Sequence, residues 1–354
     1  MAKGSQPAGR QTRILCYHAD MTDPDPTRPI PPFTTNPTAT IGNAGEARLL
    51  RDIQRWIADV SPAPPFGFGD DCAVLDSGDV GTLLVTVDPV IFGRHFDATC
   101  TPEAAGAKLL KRNLSDIAAM GGSPAAAVLA LTLSRDVSLA YLERFFRGLV
   151  CACGDYGVTL VGGDVAEAPG PLFAAHLTQH GSASFPMSRA GGQPGDRIYV
   201  TGALGGSGSG HHLSFTPRLA EGQWLARQRI VRGCIDLSDG LAKDLPQLLP
   251  AGSHAAIDPA AVPVSPAARH AAKASGQTAL SHALSDGEDY ELAFVIAESI
   301  APEAFEAAWK AAFATPLTRL GRIAPADDPA TDGCLVNAKS GTDLRQTGYE
   351  HFSS

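Results

Sequence analysis

Carboxylates set beside glycines are the residues of this 354-residue chain best suited to do chemistry. Gly69-Asp70-Asp71, Val87-Asp88, Asn113-Leu114-Ser115-Asp116, Gly162-Gly163-Asp164, Asp236-Leu237-Ser238-Asp239-Gly240 and Gly287-Glu288-Asp289 repeat one theme. Glycine lets the backbone approach a ligand closely, and carboxylate oxygens are the ligands of hard cations such as Mg²⁺. Several acids converging on one cleft repel one another unless cations lie between them. The same cations would bridge to nucleotide phosphates and neutralise the charge that develops during phosphoryl transfer.

An aspartate beside a glycine is ordinarily a turn residue, so the weight rests on the six motifs together. Asp116 is the most telling, because it falls in a predicted helix whose Leu109, Leu110, Leu114 and Ile117 form a buried stripe, and an acid near such a stripe needs a partner. Other phosphate-binding devices fail. No Gly-Lys dipeptide occurs, which excludes a P-loop, and the glycine run Gly205–Gly210 lacks the G-x-G-x-x-G spacing of a dinucleotide fold. That run follows a predicted strand, so it either opens a helix that meets phosphate or serves as a flexible loop. A net charge of −9 argues against a duplex nucleic-acid binder. For a chain that holds ATP, the same charge is a problem that metal ions would solve.

Hydrophobic residues at 44 % and charged ones at 18 % give a globular balance, and the length suits two domains. Residues 1–41 are rich in Pro, Thr and Asp and are expected to form a disordered tail. An amphipathic helix is expected from Asn43, with Leu49, Leu50, Ile53, Trp56, Ile57 and Val60 on one face. Thr82–Val87 reads as a strand ending at Asp88. A helix should run from Thr101-Pro102-Glu103 to Gly121-Gly122, where cap, first-turn proline and acid agree. A strand over 125–133, a helix from Ser138 to about Cys153 and a strand over 158–161 follow. The glycine- and proline-rich stretch 185–195 marks a boundary, giving an N-terminal domain over 42–185 and a C-terminal domain over 186–354. The second domain should open with a strand over 197–201 and later carry strands near Cys234 and Tyr290 and a helix over 302–313. The alternation predicts an α+β fold of α/β layers. The seven scattered cysteines include no paired zinc motif, no run of about 18 apolar residues spans a bilayer, and no signal-peptide core is present. The expectation is a cytoplasmic protein with reduced thiols and no membrane partner.

These residues resemble the thiamine-monophosphate kinase family, within the larger group of aminoimidazole-ribonucleotide-synthetase-like ATP-binding proteins. The resemblance runs from about Ala44 to Phe352. It is carried by the six acidic motifs together with Gly93-Arg94-His95-Phe96, Arg189 before Gly195-Asp196, and the terminal Gly348-Tyr349-Glu350-His351-Phe352. It implies a two-domain aminoimidazole-ribonucleotide-synthetase-like fold, a homodimer whose N-terminal sheets pair, and Mg-ATP between the two halves of a chain. By that resemblance Asp71, Thr86, Asp88, Asp116, Asp164, Asp236 and Asp239 would hold several Mg²⁺ ions. Gly163, Asp164, Arg189 and Ser238 would contact ATP, and His95, Glu288 and Tyr349 would contact thiamine monophosphate. Transfer would be direct, with no covalent phosphoenzyme. The chain departs from the family's pattern at Val87, where Thr is usual, and at Val165-Ala166-Glu167-Ala168 in place of Thr-Thr-Arg-Gly. Three rivals remain: a superfamily enzyme with another small acceptor, a silent nucleotide-binding homologue and, more weakly, a dehydrogenase.

Overall fold

A computed structural model describes residues 82–344, the backbone of 73–76, and isolated positions 36, 38, 48 and 51. The tail over 1–41, the helix expected from Asn43, the Gly69-Asp70-Asp71 motif and the C-terminal Tyr349 therefore lie outside the described residues, apart from those isolated positions.

Strands β1 (Ala73–Asp76), β2 (Thr82–Ile91), β3 (Ser123–Leu133), β4 (Thr159–Glu167) and β5 (Phe173–Ala183) form one sheet in the order β1-β2-β5-β3-β4. All neighbours are antiparallel except β3 and β4. Helices α1 (Pro102–Ala119) and α2 (Leu139–Tyr156) pack on this sheet. The caps explain their limits. Thr101 accepts from the Ala104 N–H and Pro102 begins α1, while Ser138 accepts from Tyr141 and the left-handed Gly157 ends α2. Leu109, Leu110, Leu114, Phe145, Leu149 and Leu177 make the core between the layers.

The second sheet comprises β6 (Arg197–Thr201), β7 (Val231–Asp236), β8 (Ser253–Ile257), β9 (Leu292–Ile296), β10 (Leu317–Pro325) and β11 (Leu335–Asn337), in the order β11-β8-β10-β6-β9-β7. Helices α3 (His211–Ser214), α4 (Leu219–Gln228), α5 (Leu241–Asp244), α6 (Pro266–Ser275), α7 (Ala279–Ser285) and α8 (Pro302–Ala312) surround it. The fold is α+β, as expected.

Three differences from the sequence reading bear on the site. Strand β2 continues past Asp88 to Ile91, so Asp88 sits inside a strand rather than at its end. Strand β4 runs on through Gly162-Gly163-Asp164, which is therefore not a turn. Strand β5, a central strand that was not anticipated, joins β2 to β3.

Helix α1 is the element both halves share. A Cβ on Gly106 would sit 2.0 Å from the Phe145 carbonyl oxygen, and one on Gly148 would sit 1.9 Å from that of Glu103, so glycine permits the close crossing of α1 and α2. At its other end α1 meets α4, where Ala118 and Ala119 join a core with Leu225, Phe294, Phe305 and Trp309.

Candidate active site

One stripe of α1 turns away from the sheet core, and it carries Lys108, Arg112, Ser115 and Asp116 at the i, i+4, i+7 and i+8 spacing of a single helical face. Opposite it stand β2, the loop after β7 and the segment before β9. Between them opens a cleft of about 140 Å³ lined by Asp88, Arg94, His95, Arg112, Asp116, Arg189, Asp236, Ser238, Asp239, Asp286 and Glu288. Eight of the thirteen residues expected from the sequence thus meet in one place: Asp88, His95, Asp116, Arg189, Asp236, Ser238, Asp239 and Glu288. The volume is below that of pockets enclosing whole drug-sized ligands, and suits ions and phosphoryl groups.

Each acid is oriented by a named donor. Asp88 accepts from Arg112 Nη2 at 3.2 Å, and its backbone N–H donates to Asn113 Oδ1 at 3.0 Å, which locks β2 to α1. Asp116 accepts from the hydroxyl of Thr86. Asp236, at the end of β7, accepts from Ser115 Oγ at 2.6 Å, a hydrogen bond that ties the two halves of the chain together. Asp239 pairs with Lys243 at 2.8 Å. Buried Asp244 accepts from the N–H groups of Asp239 and Gly240 and so shapes that turn. Burial first, and then the neighbouring Asp239 charge, push the Asp244 carboxyl up to about 8.

Arg112 binds the Pro89 carbonyl at 2.6 Å as well as Asp88. Burial opposes its charge, but the Asp88 carboxylate and the further anionic groups about it outweigh that and raise its pKa. Arg189 donates to Gln247 at 2.6 Å. The remaining expected residues are elsewhere. Thr86 is buried and reaches the cleft only through Asp116. Gly163 and Asp164 are exposed on edge strand β4, which β5 and β3 separate from β2, a spread of ~14 Å over three strand spacings. A Cβ on Gly163 would meet the Leu129 carbonyl oxygen at 1.9 Å, so strand packing alone demands this glycine. Asp71 and Tyr349 lie outside the described residues.

The sequence reading missed Lys108, Arg94, Arg112, His212 and Asp286 as site residues. For Lys108 and Arg112 a signal existed, since they precede Asp116 by eight and four positions on the same helix. The donor chemistry of the cleft fits Mg²⁺. Six carboxylates face three guanidinium groups there, an anionic excess that a polyphosphate could enter only with added cations. Among the described residues no three His, Cys, Asp or Glu side chains already converge as a ready-made metal site, because the acids point at the protein donors named above. No described helix is long and apolar enough to cross a membrane.

The family model described as AIR synthase related protein, N-terminal domain, matches residues 69–181, which span the first sheet and its two helices almost entirely. The thiamine-monophosphate kinase of Rhodopirellula baltica is 36 % identical over 271 residues, covering 74 % of this chain and 84 % of that protein. The thiamine-monophosphate kinase of Escherichia coli strain K12 is 36 % identical over 316 residues, covering 81 % and 92 %. Among solved structures, AaThiL complexed with AMPPCP and TMP superposes with a TM-score of 0.73 at 25 % identity, covering 88 % of this chain and 98 % of that one. The chain belongs to the thiamine-monophosphate kinase family.

Proposed function

We propose that this chain transfers the γ-phosphoryl group of ATP to the phosphate of thiamine monophosphate, giving ADP and thiamine diphosphate, as a cytosolic enzyme. The observation that carries the reading is the meeting of eight expected residues, from elements far apart in sequence, in one acid-rich cleft. The relatives' names and the AMPPCP and TMP bound to AaThiL support it.

In this reading Asp88, Asp116, Asp236 and Asp239 would hold Mg²⁺ within the cleft, with Asp71 and Asp164 as further ligands and Thr86 acting through Asp116. Mg²⁺ held there would neutralise the triphosphate and the charge that builds on the transferred group. The acceptor is itself a phosphate, a competent nucleophile at neutral pH, so no general base is required. The chain's own task is to orient two anions in line and screen their repulsion. Arg189 and Ser238 face the nucleotide, with Gly163, and Arg112 adds a buried cation at the floor of the cleft. His95, Glu288 and Tyr349 face the acceptor.

The proposal includes two domains, over 42–185 and 186–354, and a homodimer formed through the first sheet. Asp164 stands too far from Asp88 to share an ion with it inside one copy. Exposed Val87 on β2 and exposed Val161 and Val165 on the edge strand β4 leave apolar side chains of this sheet uncovered. The test of the acceptor is a screen of small phosphorylated compounds with labelled ATP and Mg²⁺. Label should pass to thiamine monophosphate far faster than to any other; transfer to a different acceptor would replace this substrate assignment.

A further inference from the structure

Beneath Glu288 lies a lysine with no exposed side-chain surface. Burying an ammonium is costly unless every N–H finds an acceptor. Lys108 Nζ meets three: the His95 carbonyl oxygen at 2.7 Å, His212 Nδ1 at 2.7 Å and Glu288 Oε1 at 2.6 Å. An ammonium has three donors, so the set is complete. An ammonium only donates, so His212 Nδ1 accepts in this contact. His95 is set the same way, because its Nδ1 accepts the Ile91 N–H at 3.0 Å.

All three acceptors belong to one wall. A cavity of about 290 Å³ adjoins the acid cleft, and His95, Phe96, Cys100, His212, Leu213 and Glu288 line it. The two spaces share Arg94, His95 and Glu288. Asp97 and Thr99 also line the cavity, and aromatic and apolar surface beside the Glu288 and Asp97 carboxylates suits a flat cationic heterocycle whose phosphate reaches the neighbouring cleft. The Glu288 carboxylate is held from several sides. Tyr290 Oη donates to Glu288 Oε1 at 3.1 Å, and the Tyr290 ring stacks on Phe215 at 3.9 Å. Glu288 and Tyr290 both take left-handed backbone, at φ 52° and 53°, with their N–H groups bound to the Ser238 and Leu237 carbonyls. Strained non-glycine positions persist only where the surroundings over-determine them. A methionine could fill the volume of Lys108, but it could not join His95, His212 and Glu288.

We propose that Lys108 and His212 are positioning residues for the acceptor, fixing the His95 main chain and the Glu288 carboxylate so that affinity for the heterocycle, and not for ATP, depends on them. This rests on the thiamine monophosphate kinase reading. Burial alone would raise the Glu288 carboxyl, yet the polar groups about it, the Lys108 ammonium among them, hold it down at about 2.

The experiment measures kcat, KM for thiamine monophosphate, KM for ATP and Tm in wild type, Lys108→Met, His212→Leu and His212→Gln. Lys108→Met and His212→Leu should each raise the acceptor KM by about tenfold or more, equivalent to about 1.4 kcal/mol, with the ATP KM within about twofold. His212→Gln, whose side-chain carbonyl can still accept from Lys108, should stay within about threefold of wild type. If Lys108→Met does not fold, the Leu and Gln pair at position 212 decides. An unchanged acceptor KM, or both KM values rising in step with a lower Tm, overturns the positioning role while leaving the function standing. A wild type inert toward thiamine monophosphate overturns the functional reading and this inference with it.

Discussion

Asp88 and Asp116 face each other across the junction of β2 and α1, and each is aimed by a donor that a metal ion could replace. Replacing either with Asn keeps its shape and removes its charge. Such a loss is worth of order 2–4 kcal/mol in the transition state, and each 1.4 kcal/mol is tenfold in rate. Turnover should therefore fall by well over tenfold in Asp88→Asn and Asp116→Asn, with circular dichroism unchanged; full activity in both would remove them from the site. Glu288 gives a prediction in pH. Its folded carboxyl is depressed to about 2, below its ordinary value of 4.5, so the stability it contributes is complete above about pH 5 and is lost as pH falls from 4.5 toward 2. The Glu288 side chain is 30 % exposed, which tempers the size of the effect. The gap in Tm between wild type and Glu288→Gln should be wider at pH 6 than at pH 3.5, and a gap that widens on acidification would contradict the ion pair. The acids were legible in the sequence because their type and glycine neighbours mark them. Lys108 and Arg112 carried only their helical spacing to Asp116 as a signal, because on a helix a Lys or an Arg ordinarily reads as solvated surface and only the tertiary approach of Glu288 and Asp88 buries them.

At the scale of elements, α1 is what assembles the cleft, and its crossing with α2 is what fixes α1. In an isolated helix Gly148→Ala would be favourable by about 1 kcal/mol through helix propensity. Here the new Cβ would overlap the Glu103 carbonyl at 1.9 Å, so the helices must part. Gly148→Ala should destabilise by about 1–3 kcal/mol, read as a lower urea midpoint. A rise in the midpoint would show that the crossing is loose. Helices α1 and α2 were legible to within a few residues because Thr101-Pro102-Glu103 and Ser138 announce their starts. Strand β5 was not, since His176, Thr178, Gln179 and His180 break the apolar run after Ala175, and fully buried Gln179 puts a polar residue on its inward face beside Phe173, Ala175 and Leu177. The course of β4 through Gly162-Gly163-Asp164 was hidden too, because two glycines read as a turn until β3 is placed beside them.

At the scale of the whole molecule, the proposed homodimer would set a second copy against the first sheet and its edge strand β4. Val165, 68 % exposed on the edge strand, is the place to test it. Light scattering should give a dimer mass for wild type and a monomer for Val165→Asp, with activity lost alongside; a monomeric, active wild type would rule the dimer out of the mechanism. The central claim is that the acid cleft carries the γ-phosphoryl group of ATP onto a phosphate, and one measurement reaches it directly. Purified protein is incubated with γ-labelled ATP, Mg²⁺ and thiamine monophosphate, with and without a chelator, and the products are separated. Labelled thiamine diphosphate should form in an amount equal to the ADP, be abolished by the chelator, and leave no label on the protein. Label appearing as free phosphate alone, or on the protein itself, would contradict the claim.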